Sequence, residues 1–217
     1  MLLFKPNSRF RDLNVDIIPT DQFSYHLRVL LKMGLIKKEG IKYFLTSKGK
    51  MIAEKLDTAA FKIEKQPKVS VILIPYKIIG GKKKYLIQER TKEPYFGYKG
   101  FIAGKVKFGE TLAETAKREL EEESGLSGKF RYCYEIHEMV YDRTTREQLE
   151  DKFFHIIECY DLEGKLEEKT VEGVVEFVTV KEFRKMVPKY HNEDDLLTWY
   201  LRKDFSFKEQ KYVIDKF

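Results

Sequence analysis

Residues 104–126 read GKVKFGETLAETAKRELEEESGL, and this stretch decides the fold of most of the chain. Thr111, with Glu114 three residues on, is a capping-box pattern that predicts a helix start, and Gly125 predicts its stop. Between them Leu112, Ala113, Ala116 and Leu120 fall within an arc of about 100° at the helical period, so that face is expected against a core. Glu119, Glu122 and Glu123 stand at i, i+3 and i+4, which sets three carboxylates side by side at the rim of the apolar arc. Like charges so close repel unless a cation lies among them, and Arg118 offsets one of them, not three. Hard divalent ions take oxygen ligands, and magnesium keeps waters while bridging to substrate phosphates. The cluster therefore points to attack by water on a phosphate chain.

The full spacing is a glycine, five residues, a glutamate, seven residues, then Arg-Glu-Leu-Glu-Glu-Glu-Ser-Gly-Leu. It resembles the Nudix box at every defined position. The resemblance covers residues 68–205 and implies an α/β fold, an α/β/α sandwich around a mixed sheet, with the box forming loop–helix–loop. It implies hydrolysis of nucleoside diphosphates linked to another moiety, dependent on Mg2+ or Mn2+. Carried over residue by residue, it makes Glu119, Glu122 and Glu123 metal ligands and Glu119 the group that orients or deprotonates the attacking water. Arg118 would be held by Glu110 and organise the acids. The backbone carbonyl at Ala103 or Gly104 would also reach the metal; Ala103 stands where the family often has glycine. A later acid commonly joins such sites. Glu172, before a predicted strand, is favoured over Glu147, Glu150 and Asp151 of the acidic loop 142–151.

Tyr95, Phe96 and Tyr98 lie in the loop ahead of the box and are candidates to stack on a base or sugar, or equally to anchor the loop. Lys99 is a candidate phosphate contact where relatives commonly carry Trp. Proline about 15 residues past the box, a cue for ADP-ribose enzymes, is absent, and Tyr141 is near but not at the tyrosine spacing of dinucleoside-polyphosphate enzymes. Neither cue names a substrate.

Outward from the box, Val69–Ile74 reads as a buried strand and Tyr85–Glu89 as its neighbour, joined through Gly80-Gly81 and a lysine-rich tip. Strands are predicted at Phe130–Tyr141, Lys152–Tyr160 and Glu176–Val180, and an amphipathic helix at Asp194–Lys203. Residues 206–217 read as a C-terminal tail and residues 61–67 as a linker ending at Gln66-Pro67.

Residues 1–60 read differently. A short helix is expected over Asn7–Val15, then a second helix capped by Thr20 or Asp21, with a stripe of Phe23, Leu27, Leu30 and Leu31 ending at Gly34. A hairpin turns at Glu39-Gly40, and Thr46 or Ser47 caps a last helix through Met51, Ile52 and Leu56. The stretch FSYHLRVLLKMGLIKKEGIKYFLTSKGKMIAEKL resembles a winged helix-turn-helix, a small α+β domain, although the first helix of that pattern is reduced here. If it meets DNA, Tyr25, Arg28 and Lys32 on the second helix and Lys37, Lys38 and Lys42 on the wing are the contacts. The alternative is a protein–protein or dimerisation module, the latter implying a homodimer.

Charge supports two modules. Residues 1–67 carry 13 Lys and Arg against 7 Asp and Glu, and residues 68–217 carry 28 of each. With 42% hydrophobic residues the chain can build a core, which excludes a disordered or collagen-like chain. No apolar run reaches the roughly 18–20 residues of a membrane span. No signal peptide is read, and two cysteines make no disulfide framework, so a reduced cytoplasmic protein with no membrane partner is expected. Two functions fit: a hydrolase, or a transcriptional regulator whose Nudix domain senses a nucleotide.

Overall fold

The computed structural model describes residues 2–14, 18–59, 62–203 and 206–215. It divides into two compact units, residues 1–65 and 66–217.

The first unit runs β1 (Ser8–Arg9), α1 (Phe10–Leu13), α2 (Thr20–Lys32), β2 (Ile36–Glu39), β3 (Lys42–Leu45), α3 (Ser47–Ala53), β4 (Leu56–Asp57) and β5 (Lys62–Ile63). The antiparallel sheet β1-β3-β2 and the helices enclose a small core of Leu13, Leu27, Ile36 and Tyr43. Thr46 caps α3 as expected, its hydroxyl accepting from Gly49 N at 3.0 Å. Three expectations change. Helix α2 begins at Thr20 with Pro19 at the cap position, and the proline ring has no acceptor to offer a side-chain cap. Leu56 leaves α3 and pairs as β4 with β5, so Lys62 and Ile63, read as linker, belong to this unit. Helix α1 covers four residues; Val15, its expected end, and Phe61, the expected first linker residue, lie outside the described residues.

The second unit runs β6 (Lys68–Ile79), β7 (Lys82–Arg90), β8 (Lys99–Gly100), β9 (Ile102–Lys105), α4 (Leu112–Ser124), β10 (Ser127–Asp142), β11 (Gln148–Glu163), β12 (Gly173–Val178), α5 (Val180–Phe183), α6 (Glu193–Arg202) and β13 (Phe207–Ile214). The mixed sheet has the order β12-β7-β6-β11-β10-β13, with β8 on β7 and β9 on β6. Strand β6 is parallel to β11, and β13 is parallel to β10; the remaining pairs are antiparallel.

Successive residues of a strand face opposite sides, and here both sides are covered. Val71, Leu73, Leu86, Ile157 and Cys159 pack against Ala116 and Leu120 of α4. Ile72, Ile74, Ile87, Ile136 and Ile156 pack against Phe183 of α5 and Leu196, Leu197 and Tyr200 of α6. That gives the α/β/α sandwich and explains why the run at 71–74 is apolar without alternation. Each such side chain contributes about 1.5–3 kcal/mol on full burial. Helix α6 is also pinned by a polar contact, since the Tyr200 hydroxyl donates to buried Glu158, beside Lys83, whose Nζ lies 3.5 Å from the Tyr76 ring centroid. Among the described residues no helix is long and apolar enough to cross a membrane.

Two further expectations are corrected. Lys82, Lys83 and Lys84 belong to β7, and the turn is Gly80-Gly81 alone, both glycines at positive φ where side chains are disfavoured. Residues 207–214 form no tail but the edge strand β13, because Tyr212 and its alternate neighbours pair along the whole of 135–142. His137 fastens that edge. Its Nδ1 lies 2.9 Å from Glu209 of β13 and its Nε2 2.8 Å from Asp151 of β11, and its ring stacks on Phe153 at 4.2 Å. A neutral imidazole has one N–H, so both bonds require the imidazolium. Burial lowers the ring's pKa, but the bonds to Glu209 and Asp151 outweigh it and the net shift is upward. A raised folded-state pKa means that the stabilisation is full below the ordinary histidine value of about 6.5 and is lost as pH climbs through the folded value. Urea unfolding of wild type and His137→Gln should therefore show a stability gap that is widest below about pH 6.5 and narrows as pH rises above it; a gap independent of pH would contradict the assignment.

Candidate active site

Helix α4 carries the acids to the sheet. The Thr111 hydroxyl accepts from Glu114 N at 3.2 Å while the Glu114 carboxylate accepts from Thr111 N at 2.8 Å, and Gly125 closes the helix at φ 68°. The buried face is richer in polar groups than the apolar stripe predicts. Ala113 points out, whereas Thr115, Ala116, Glu119, Leu120 and Glu123 are buried.

Glu119 and Glu123, one turn apart, press their carboxyl groups together at 8% and 5% exposure. Burial first, and then the charge of Glu119, pushes the Glu123 carboxyl well above the usual carboxylate range, against the pull of Gln88, whose Nε2 donates to it at 2.5 Å. Glu122 is exposed on the same helix, 3.3 Å from Arg118 Nη1 and 4.0 Å from Lys107 Nζ. Gly104 lets β9 pass directly over Glu119. A Cβ there would collide with the Glu119 carboxyl group, which is the physical need for glycine at that position.

Arg118 joins the parts. Its Nε and Nη2 each donate to Glu110 at 2.8 Å, its Nη1 to Glu119 at 2.5 Å, and its Nη2 also to the Lys105 carbonyl at 3.1 Å. Glu110 accepts as well from Thr115 Oγ1 at 2.9 Å and Lys107 N at 3.1 Å. The guanidinium, ahead of these other donors, holds Glu110 down at about 2, and Arg118 itself is shifted upward chiefly by Glu110.

Among the described residues no three His, Cys, Asp or Glu side chains converge as a ready-made metal cage. The donor set nonetheless fits a hard cation. Two carboxyl groups in mutual contact and withdrawn from water favour a positive charge between them, the Gly104 backbone lies against Glu119, and the exposed Glu122 shares Arg118 Nη1 with Glu119.

A cavity of about 430 Å³ adjoins the acids, sharing Gln88 and Gly104 as walls. Its lining includes Lys68, Arg90, Tyr95, Ala103, Lys105, Glu138, Glu150, Lys152 and residues 190–193. Of the aromatic candidates, Tyr95 lines it. Tyr98 packs edge-on to Tyr95 at 5.4 Å and against Tyr190 at 5.8 Å, behind the wall. Phe96 is exposed away from the lining, and Lys99 Nζ is held by Glu89 at 3.0 Å. Both late acids are placed. Glu172 immediately precedes β12, paired with Lys92 and 4.0 Å from Arg90, close enough to influence Glu123. Glu150 lines the cavity, paired with Lys152 at 2.5 Å, while Asp151 serves His137 and Glu147 is exposed in the turn.

Gln88, Glu138 and Glu193 were not legible as site residues. Glu138 accepts from Asn192 Nδ2 at 2.7 Å and lies 3.2 Å from His191 Nε2. Glu193 accepts from Phe101 N at 3.2 Å, and burial pushes it up to about 8. Their one signal is a polar residue at a position whose parity along the strand or helix should be apolar.

A family model described as a NUDIX domain matches residues 66–200. Among solved structures, the NUDIX domain of Shewanella oneidensis NrtR complexed with ADP ribose is 15% identical with a TM-score of 0.54, covering 73% of this chain and 99% of that one. The mutator MutT protein from Bacillus halodurans is 18% identical with a TM-score of 0.55, covering 69% of this chain and 93% of that one. No curated protein matches the sequence. If the acids hold a cation, Mg2+ should raise the thermal unfolding midpoint of the wild type, since a ligand that binds only the folded state stabilises it. Glu123→Gln should lose most of that rise; an equal rise in both would place the ion elsewhere.

Proposed function

The chain belongs to the NUDIX family, and from that premise we propose that it is a hydrolase cleaving the pyrophosphate linkage of a nucleoside diphosphate derivative bound in the cavity beside Ala103 and Gly104. The observation that carries this reading is the buried, mutually touching pair Glu119–Glu123, clamped by Arg118 on one side and Gln88 on the other. The ADP ribose bound by the Shewanella domain supports the substrate class.

Glu119, Glu122 and Glu123 would hold Mg2+ or Mn2+, with a backbone carbonyl of Ala103 or Gly104. The ion's chemistry there is Lewis-acid polarisation of phosphoryl oxygens and a lowered pKa for water. The chain's own residues do the rest. Arg118 fixes the Glu119 carboxylate in one orientation, and its bidentate grip on Glu110 keeps the guanidinium from swinging to the substrate. Glu119 orients the attacking water and accepts its proton. Glu172, steadied by Lys92 and Arg90, is a late acid whose charge reaches Glu123, and it assists. Tyr95 offers the ligand an aromatic face, buttressed by Tyr98, and the wall formed by residues 190–193 shields the linkage from bulk water.

Glu122→Gln and Glu123→Gln should each lower kcat by about 10²-fold or more, equivalent to about 2.7 kcal/mol of lost barrier stabilisation. The assay is nucleotide or phosphate release from a panel of nucleoside diphosphate derivatives with Mg2+ or Mn2+. Wild-type rates in both variants would refute the roles.

A second reading, a nucleotide-sensing regulator, has its own support and is compatible with catalysis. Tyr25, Arg28 and Lys32 are exposed on α2, and Lys37, Lys38 and Lys42 are exposed on the β2–β3 hairpin, as a winged helix on DNA needs. Lys37 is partly engaged by Glu39 at 2.6 Å. Duplex-DNA binding followed by fluorescence anisotropy should weaken steeply with salt and weaken further in Arg28→Ala/Lys32→Ala. An unchanged affinity in that variant would remove α2 from the interface.

A further inference from the structure

Strand β13 is the outer strand of its sheet. It pairs with β10 on one side and, among the described residues, with no strand on the other. A parallel ladder engages the N–H and C=O of alternate residues and turns those of the residues between them away. The Ser206 carbonyl accepts from Glu135 N at 3.0 Å and the Ile214 carbonyl from Arg143 N at 2.9 Å, so the even-numbered residues face β10. Phe207, Glu209, Lys211 and Val213 therefore aim their backbone groups outward, a row open to another strand. Their side chains share one face of the sheet and all are exposed, Phe207 at 49% and Val213 at 40%.

This row is complementary to itself. When two copies lie antiparallel about a two-fold axis at Gln210, Phe207 stands opposite the partner's Val213, and Glu209 stands opposite the partner's Lys211. Both are pairs of outward residues, so each falls where antiparallel strands exchange two backbone bonds, about eight bonds along the row. The end positions match apolar side chains and the middle positions match a carboxylate with an ammonium, pairings that stabilise neighbouring strands. Glu209 can meet a lysine while it serves His137: its Oε1 lies 2.9 Å from His137 Nδ1, yet the side chain stays 61% exposed.

Other alignments fail on the same residues. A slip of one residue sets outward residues against inward ones and puts their side chains on opposite faces. A slip of two residues brings Glu209 against the partner's Glu209, or Lys211 against the partner's Lys211, and like charges directly opposite are destabilising. A lysine on an edge strand ordinarily deters pairing; here it also selects the register.

We infer that β13 is a homodimerisation edge, on which a second copy of this chain adds its own β13, antiparallel and centred on Gln210, so that two sheets become one. The surface lies outside the acid pair and the cavity lining, and it stands independently of the hydrolase reading.

Sedimentation velocity of the full-length protein over a concentration series tests this. The wild type should dimerise reversibly. Lys211→Glu opposes glutamates at both middle positions, and Glu209→Lys opposes lysines there, so each variant alone should dimerise about tenfold more weakly or worse. An equimolar mixture of the two variants sets glutamates at 209 and 211 of one copy against lysines at 211 and 209 of the other. The mixture should regain a dimer of near wild-type affinity, a recovery that misfolding of either variant would not give. A wild type that stays monomeric throughout, a dimer unmoved by either reversal, or variants that remain as weak when mixed as alone would overturn the inference.

Discussion

Two carboxyl groups that touch while shielded from water form the constraint around which the second unit is arranged. A buried carboxylate is costly, and a second beside it is costlier, so such a pair persists only where the surroundings hold it. Here the surroundings are particular: Gly104 gives Glu119 room, Gln88 donates to Glu123, and Arg118 ties Glu119 to Glu110 and to the backbone of β9. The fold itself is ordinary two-sided packing of a mixed sheet. What is unusual is that the helix covering one face is fastened by charge as well as by Ala116 and Leu120.

The same arrangement links stability to function. Glu119 and Glu123 occupy core-facing positions that an apolar side chain would fill more favourably, and the stabilisation forgone there is a typical cost of a preorganised site. Gln88 and Arg118 already hold Glu123 and Glu119 in place, as electrostatic preorganisation of the proposed site requires.

Legibility differed across the chain for physical reasons. The capping box at Thr111 and Glu114, the Gly125 stop and the spacing of Arg118 and the acids are local, since each feature acts within one or two helical turns, and residues 104–126 therefore carry the acid half of the candidate site in plain view. The cavity half is assembled from β6, β7, β9, β10, β11 and the segment before α6. Its residues meet only through strand register, which no single stretch of sequence encodes. Glu138 and Gln88 looked like ordinary polar positions on strands because their burial depends on what crosses above them. Strand β13 was read as a tail because alternating Phe207, Glu209, Lys211 and Val213 with partly buried neighbours describes an edge strand whose outer face stays exposed, a weak pattern without its partner β10. In the first unit, the hairpin and the Thr46 cap were legible, whereas the short β4–β5 pair depends on a contact across four intervening residues and was not.

The account stands on the place where positive charge settles between Glu119 and Glu123. A crystal grown with Mn2+ and measured at the manganese absorption edge tests it most directly. The account predicts an anomalous peak within about 2–2.5 Å of carboxylate oxygens from both glutamates. Saturating Mn2+ with those two side chains vacant, or the peak bound wholly elsewhere in the molecule, would contradict it.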